Sequence, residues 1–517
     1  MGSVPVNNSL PFLVANAERI GAFQKRISRD KIAKGVSVMV KFGTGGWRAV
    51  IAEEFTFNNV RRVAQAVALY LEEIGQAHKP VVVGHDLRFL SGRFSRSLAE
   101  ILVHNGIQVW FIEQVVPTPM LMYAVDQEGL AMGIMVTASH NPSEYNGLKI
   151  IVEGGKDAPV EVTNRLEEIC STIPDLQAPP LSFTDALAQG KIVEYSNKNE
   201  YIDSLLAQID TQAVQALNFR VLFNPMFGVA NDIMAMCLAS LRCSVDLINA
   251  GRDTMFGQRA PTPSRESLQD MEYMMKQGRY HIGIATDGDS DRIGLYDEKG
   301  NYIEANEILK LLYYYLKAYR GENGGLVRNV TTSHVLDRIA HSFGEPAYEV
   351  PVGFKHISSK MDEENLLLGG ESSGGLKIRG HVNGKDGILA ALLAVEMLAK
   401  TGKSLSQLLD EINKRYGTLH FGEVNLHYHP QDRTRLDQIL IKDKYTPTLP
   451  WKVEKTSYQD GVKFYFNNDT WFSIRFSGTE PILRLAYETN TPQEAEQLKA
   501  SVFSDSYLNL PPKEGAI

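Results

Sequence analysis

Apolar runs too short to be buried helices recur along this chain, and between them the apolar residues switch to a helical spacing. Val81, Val82 and Val83 make one such run, ending at Gly84-His85-Asp86. Ile107 to Ile112 is a second, and Ile134, Met135 and Val136 are a third. Val60, Val63, Val67, Leu71 and Ile74 share one face of a helix over 59–74, and a further helix over 94–104 stops at Asn105-Gly106. Strand and helix in this rhythm dictate mostly parallel pairing under covering helices, an α/β unit reaching to about residue 190.

The rhythm restarts twice. Strands at 220–223, 245–248 and 281–285 alternate with helices running to Leu241 and over 264–275. A third round places strands at 326–330 and 366–368, helices at 306–319 and 334–343, and a long apolar helix after Asp386. The last hundred residues differ, with four strands (422–426, 461–466, 471–476, 483–487) before a helix over 493–502, an α+β pattern. At 517 residues one core is not enough. The expected division is an N-terminal extension over 1–37, three similar mixed α/β domains over 38–195, 196–303 and 304–417, and a C-terminal α+β domain over 418–517.

Composition is that of an ordinary globular chain, 44% hydrophobic and 22% charged. A net charge of -8 argues against a nucleic-acid or anionic-membrane surface as partner, yet leaves room for a small anion bound by local cations. Cys170, Cys237 and Cys243 fit neither a disulfide framework nor a metal spacing; Cys237 and Cys243 read as core thiols of a reducing compartment. The first 37 residues hold no continuous apolar targeting segment, and Val6 stands where myristoylation needs Ser or Thr. No run reaches the length of a membrane span. The expectation is a soluble, cytoplasmic protein, monomeric or dimeric.

Each unit carries one strand that runs into a polar loop containing glycine: TASHNP (137–142), TDGDSDR (286–292), GGESSGG (369–375) and RFSGTEP (475–481). Four such loops, one per unit, suggest a shared cleft. Ser139 stands where its strand stops, with His140 beside it and Lys149 ten residues on, a setting for nucleophilic or phosphoryl chemistry. A polar loop that merely caps a strand has the same composition. Asp287, Asp289 and Asp291 alternate after their strand, and three carboxylates so close call for a hard divalent cation such as Mg²⁺. An EF-hand is the rival, with Glu298 at its twelfth position. Against it, Arg292 occupies the glycine position and the flanks read as strands. An aspartyl-phosphate phosphatase with Asp287 as nucleophile is another alternative.

Arg475, Ser477, Gly478 and Thr479, with Arg484 nine residues after the first arginine, are the parts of a phosphate cradle. Glu371 and Ser373, between paired glycines, suit the hydroxyls of a sugar, and His381, Lys385 and Asp386 follow in HVNGKDG. FGTGGWR (42–48) matches neither the P-loop nor the dinucleotide fingerprint; Trp47 reads as packing and Arg48 as an anion contact. Taken singly, each of these loops is equally a solvated turn.

Taken together, in this order and spacing, FGTGGWR, TASHNP with NGLK, DGDSDR, GGESSGG and RFSGTEP resemble the α-D-phosphohexomutase superfamily, the phosphoglucomutase/phosphomannomutase enzymes, over about residues 40–490. The resemblance implies four domains around a central cleft. It makes Ser139 the phosphoserine and, with Asp287, Asp289 and Asp291, a ligand of Mg²⁺. Arg48, His140 and Lys149 match active-site positions that stabilise charge or move protons. Arg292, Lys355, Glu371, Ser373, His381, Lys385, Arg475, Ser477, Gly478, Thr479 and Arg484 match substrate-binding positions.

The implied reaction passes phosphate between Ser139 and a hexose phosphate through a 1,6-bisphosphate, with glucose 1,6-bisphosphate as activator and intermediate. Gly375 stands where many phosphomannomutase-type members have histidine, and HVNGKDG resembles phosphoglucomutase-type members, so glucose is the expected sugar. A sugar 1,6-bisphosphate synthase on the same scaffold is the alternative. A non-catalytic sugar-phosphate sensor is another, against which the intact Ser139 and aspartates speak. Residues 1–37 fit no part of the pattern.

Overall fold

The computed structural model describes residues 40–43, 46–429, 431–477 and 481–510. The expected extension 1–37, Thr44 and Gly45 of the first glycine-rich stretch, and Gly478 and Thr479 of the last loop lie outside the described residues.

Three sheets repeat one strand order. In the first, parallel strands Val109–Phe111, Val81–His85 and Met132–Val136 are followed by antiparallel Tyr145–Val152. In the second, parallel Ser244–Leu247, Arg220–Asn224 and Ile282–Thr286 are followed by antiparallel Ile293–Tyr296. In the third, parallel Ala347–Val350, Leu326–Asn329 and Leu368–Gly370 are followed by antiparallel Leu376–Ile378. The chain therefore doubles back at the carboxyl end of the last parallel strand each time, and the polar loops TASHNP, DGDSDR and ESSGG are those three reversals. Ligands of open α/β sheets bind outside the carboxyl ends of the strands.

The fourth sheet is antiparallel throughout, ordered His420–His427, Ile482–Thr489, Trp471–Phe476, Val462–Phe466, Val453–Ser457. The fold class is thus three similar α/β units and one α+β unit, as the sequence pattern implies.

Helix Gly387–Thr401 is apolar on nearly every side and is buried through Leu398. It packs on strands Ile282–Thr286 and Ile293–Tyr296 and on helix Ala305–Ala318, so one core runs through the second and third sheets. Asp386 caps it, accepting from the Ile388 and Leu389 amides at 2.9 and 3.0 Å. Among the described residues no helix is long and apolar enough to cross a membrane.

Several expectations need correction. FGTGGWR is not simply a loop: Phe42–Gly43 and Gly46–Val50 are strands, and the latter pairs with Tyr145–Val152 about a hundred residues on. Trp47 is buried there, its ring 4.8 Å from Phe55. The strand expected at 366–368 lies at Leu368–Gly370. A Cβ on Gly370 would meet Leu309 at 2.2 Å, so bare backbone is what fits there. The helix expected at 264–275 begins later, at Gln269. Cys237 is buried but Cys243 only half so.

Candidate active site

Ser139 sits at the end of strand Met132–Val136 and is fully buried. Its backbone is left-handed, φ 52°, a conformation costing an L-residue about 1–2 kcal/mol. The Oγ donates to Asp287 Oδ2 at 2.8 Å and lies 3.4 Å from His140 Nδ1. Close approach of the two loops requires Gly288, where a Cβ would stand 2.6 Å from the Ser139 carbonyl oxygen.

Asp287, Asp289 and Asp291 are buried, with carboxylate oxygens within 4.8 Å of one another. Buried charges persist only when paired, and the pairing comes from three directions. Lys149, on strand Tyr145–Val152, donates to Asp289 at 2.5 Å and Asp291 at 2.6 Å. Lys385 stands 3.1 Å from Asp291, aimed there by the capped turn before helix Gly387–Thr401. Thr118 donates its hydroxyl to Asp289 at 2.6 Å and its amide to the Asp289 carbonyl at 3.0 Å.

The electrostatics follow. Burial, with Asp291 and Asp289 beside it, pushes the Asp287 carboxyl well above the usual carboxylate range. Burial pushes Asp291 upward too, but Lys149, Lys385 and Arg292 outweigh it and hold that carboxyl well below. Burial, then Arg292 and Arg48, lower His140 well below the ordinary imidazole value. Burial opposes the charge of Lys149, yet Asp289 and Asp291 raise it above the usual lysine.

Among the described residues, Asp289 Oδ1 and Asp291 Oδ1 are buried without a hydrogen-bond partner. Two orphaned carboxylate oxygens beside Asp287 and the Ser139 hydroxyl form an all-oxygen donor set, which fits a hard divalent cation. Both flanks of the aspartate loop are strands paired antiparallel, which excludes the EF-hand. Asp287 has both oxygens occupied, by Ser139 and by the Arg292 amide at 3.1 Å, which disfavours it as a phosphatase nucleophile.

The third loop meets the second through backbone. Arg292 and Gly375 form an antiparallel bridge, the Ile293 amide donates to the Gly374 carbonyl at 3.3 Å, and the Gly387 amide to the Ser290 carbonyl at 3.1 Å. Glu371 is buried and accepts from Asn329 and the Gly353 amide, both at 3.2 Å; Ser373 is exposed at the loop tip. Lys355 is half-buried in the first turn of helix Phe354–Glu364, lowered by burial against the pull of Glu161 and Asp157. Arg48 donates to Asn141 Oδ1 at 2.7 Å, within the TASHNP loop.

In the fourth sheet Arg475 and Arg484 face each other in register. Arg475 donates to Asp460 at 2.7 Å, and the same carboxylate oxygen accepts from the Val352 amide at 2.9 Å, tying this loop to the segment before Lys355. Ser477 closes the turn through its amide to the Ile482 carbonyl at 2.8 Å.

The buried side chain of His381 lies 2.8 Å from Asp386, which also accepts from Tyr201 at 2.6 Å.

Two residues escaped the sequence reading. Thr118 is one. The other is Arg88, whose guanidinium donates to the carbonyls of Ser139 (2.7 Å), Asn141 (2.5 Å), Pro142 (2.7 Å) and Tyr145 (3.0 Å). Asp86-Leu87-Arg88 directly after an apolar strand was the available signal.

Comparison with known proteins finds four domain families along the chain. Models of phosphoglucomutase/phosphomannomutase alpha/beta/alpha domains I, II and III match residues 39–176, 199–300 and 304–416, and the model of the C-terminal domain matches 423–504. A phosphoglucomutase/phosphomannomutase of Thermococcus kodakarensis is 30% identical over 458 residues, 88% of this chain and 96% of the relative. A phosphoglucosamine/phosphogalactosamine mutase of Sulfurisphaera tokodaii is 27% identical over 468 residues, 88% of this chain and 97% of the relative. The open form of parafusin, a phosphoglucomutase of Paramecium, shares the fold at a TM-score of 0.77 with 20% identity, covering 90% of this chain and 93% of that one.

Proposed function

The chain belongs to the phosphoglucomutase/phosphomannomutase family, and from that premise we propose that it interconverts the 1- and 6-phosphates of a hexose, glucose by preference, with Ser139 as the phosphate carrier. The observation that carries this reading is the Ser139 Oγ held 2.8 Å from Asp287, within a buried aspartate triad and beside Lys149.

Asp287, Asp289, Asp291 and a phosphoserine oxygen would hold Mg²⁺, which supplies charge withdrawal from the transferring phosphoryl group. Lys149 and Lys385, held on the Oδ2 atoms of Asp289 and Asp291, balance their negative charge. His140, whose Nδ1 lies 3.4 Å from Ser139 Oγ, or Lys149 would take the proton from the attacking hydroxyl and supply one to the leaving oxygen. Arg475 and Arg484, with Ser477 and the adjoining Gly478 and Thr479, take the phosphate already on the sugar, so that the far hydroxyl faces Ser139. Glu371, Ser373 and Lys355 read the sugar hydroxyls between the two ends. Turning the bisphosphate over exchanges the two phosphates and returns one to Ser139. Gly375 leaves no imidazole at the place where mannose-type members carry one, which supports glucose.

The test is purified protein with Mg²⁺, trace glucose 1,6-bisphosphate and a panel of glucose, mannose and glucosamine 1-phosphates, with mass analysis of Ser139. Conversion to the 6-phosphate and a phosphoryl group on Ser139 are expected, strongest with glucose. Conversion that survives Ser139→Ala sinks the mechanism. Bisphosphate accumulating beyond enzyme stoichiometry once a separate phosphoryl donor is added makes the protein a synthase.

A further inference from the structure

The left-handed backbone of Ser139 is held from both of its peptide groups by one closed ring of side chains. On one side the Ser139 amide donates to Thr137 Oγ1 at 2.9 Å, and the Thr137 hydroxyl donates to Asp86 Oδ2 at 2.7 Å. On the other, Arg88 Nη2 donates to the Ser139 carbonyl at 2.7 Å, and Arg88 Nε stands 3.4 Å from that same Asp86 Oδ2. Asp86 is itself fixed: its other oxygen accepts from the Arg88 amide at 2.9 Å and the Ser91 hydroxyl at 2.7 Å. Asp86, Arg88, Thr137 and Ser139 are all buried.

We propose that Asp86, Arg88 and Thr137 are positioning residues for phosphoryl transfer, a ring that keeps the Ser139 Oγ on the aspartate triad through both its free and its phosphorylated state. The inference rests on the mutase reading of Ser139. Its physical basis is independent of that reading.

Whenever no cation lies between them, a phosphoryl group on Ser139 sets about two negative charges against three carboxylates. Repulsion then pushes the loop outward, toward the relaxed backbone an L-residue prefers. The carbonyls of Ser139, Asn141, Pro142 and Tyr145 converge on one guanidinium, so the loop cannot move without breaking four bonds together. A planar fork reaches four acceptors at once; an ammonium does not.

The experiment compares wild type with Thr137→Val, Thr137→Ser, Arg88→Lys and Arg88→Met. It measures kcat and KM for glucose 1-phosphate, phosphoserine occupancy by intact mass, and amide exchange over 137–147. Thr137→Val is expected to lower kcat about 100-fold with KM within threefold, to reduce phosphoserine occupancy, and to speed exchange over 137–147 while leaving 286–292 unchanged. Thr137→Ser, which restores the hydroxyl, recovers most of that loss. Arg88→Lys keeps the charge without the fork and behaves like Arg88→Met. Losing a buried guanidinium threatens the fold itself, so the isosteric Thr137→Val decides if the Arg88 variants are insoluble. The proposal is overturned if Thr137→Val keeps kcat within threefold of wild type, or if its exchange over 137–147 matches wild type. A wild-type protein that turns over no hexose phosphate refutes the mutase reading and, with it, the role in transfer. The exchange arm then reports only whether the ring holds the loop.

Discussion

The Lys149 ammonium donates to Asp289 Oδ2 at 2.5 Å, on the same carboxylate whose other oxygen has no hydrogen-bond partner among the described residues. Lysine and cation therefore compete for the charge of one side chain while using different atoms of it. Removing the lysine leaves the triad one charge more negative. Lys149→Met is expected to bind Mg²⁺ about tenfold more tightly by titration calorimetry, since tenfold is only about 1.4 kcal/mol. The same variant should lose about 100-fold or more in kcat, because a charge that steadies the transferring group is gone. Weaker Mg²⁺ binding in Lys149→Met would contradict this arrangement.

Gly288 lets the aspartate loop touch the serine loop. A methyl there meets the Ser139 carbonyl oxygen at 2.6 Å, a contact real side chains do not make. Gly288→Ala is expected to cost about 1–3 kcal/mol of stability through overpacking. Its larger effect should be on turnover, a fall of about 100-fold as the two loops separate. Denaturant midpoints and initial rates on the same preparation measure both.

Asp460 serves Arg475 and the Val352 amide with one oxygen. Asp460→Ala frees the arginine fork and unties it from the third sheet. The expected result is a KM for hexose monophosphate raised about tenfold with kcat changed less, because substrate binding is weakened before the chemical step. A fall in kcat alone would place Asp460 elsewhere in the cycle.

His334 joins the third sheet to the fourth. Its Nε2 lies 3.1 Å from the Lys463 Nζ, and burial with Arg328 and Lys463 nearby pushes its pKa down to about 4. Between about pH 6.5 and 4 the unfolded chain takes up a proton that the folded protein refuses, so stability falls as pH drops through that window. The contribution is about 3 kcal/mol in full. Chemical denaturation at pH 7 and 4.5 should show a smaller drop in His334→Gln than in wild type, by about 2 kcal/mol.

Strand ends were readable because an apolar run that stops at polar residues needs no knowledge of its neighbours. The aspartate loop was readable for a similar reason, since three like charges in five residues demand a common external cause. Gly369 and Gly370 were misjudged as loop because glycine carries no side chain for a period to show, although their strand packs tightly under Ile357, Met361 and Leu309. Arg88 was missed because its meaning lies in carbonyls 51 to 57 residues away, and carbonyls leave no mark in a sequence.

The second and third sheets are joined at their loops by main-chain hydrogen bonds, as in the bridge between Arg292 and Gly375. Among the described residues the fourth sheet is joined differently, through side chains: Asp460 to the Val352 amide, Lys463 to the Val330 carbonyl and Glu349, and Glu488 to the His334 amide. A backbone bridge can only be kept or lost. A side-chain join can swing aside and hand its partner to water or to a phosphate oxygen, one bond at a time. The seam beside the arginines is therefore built from replaceable bonds, which is what a compartment needs if it is to open for a sugar phosphate and shut again unchanged.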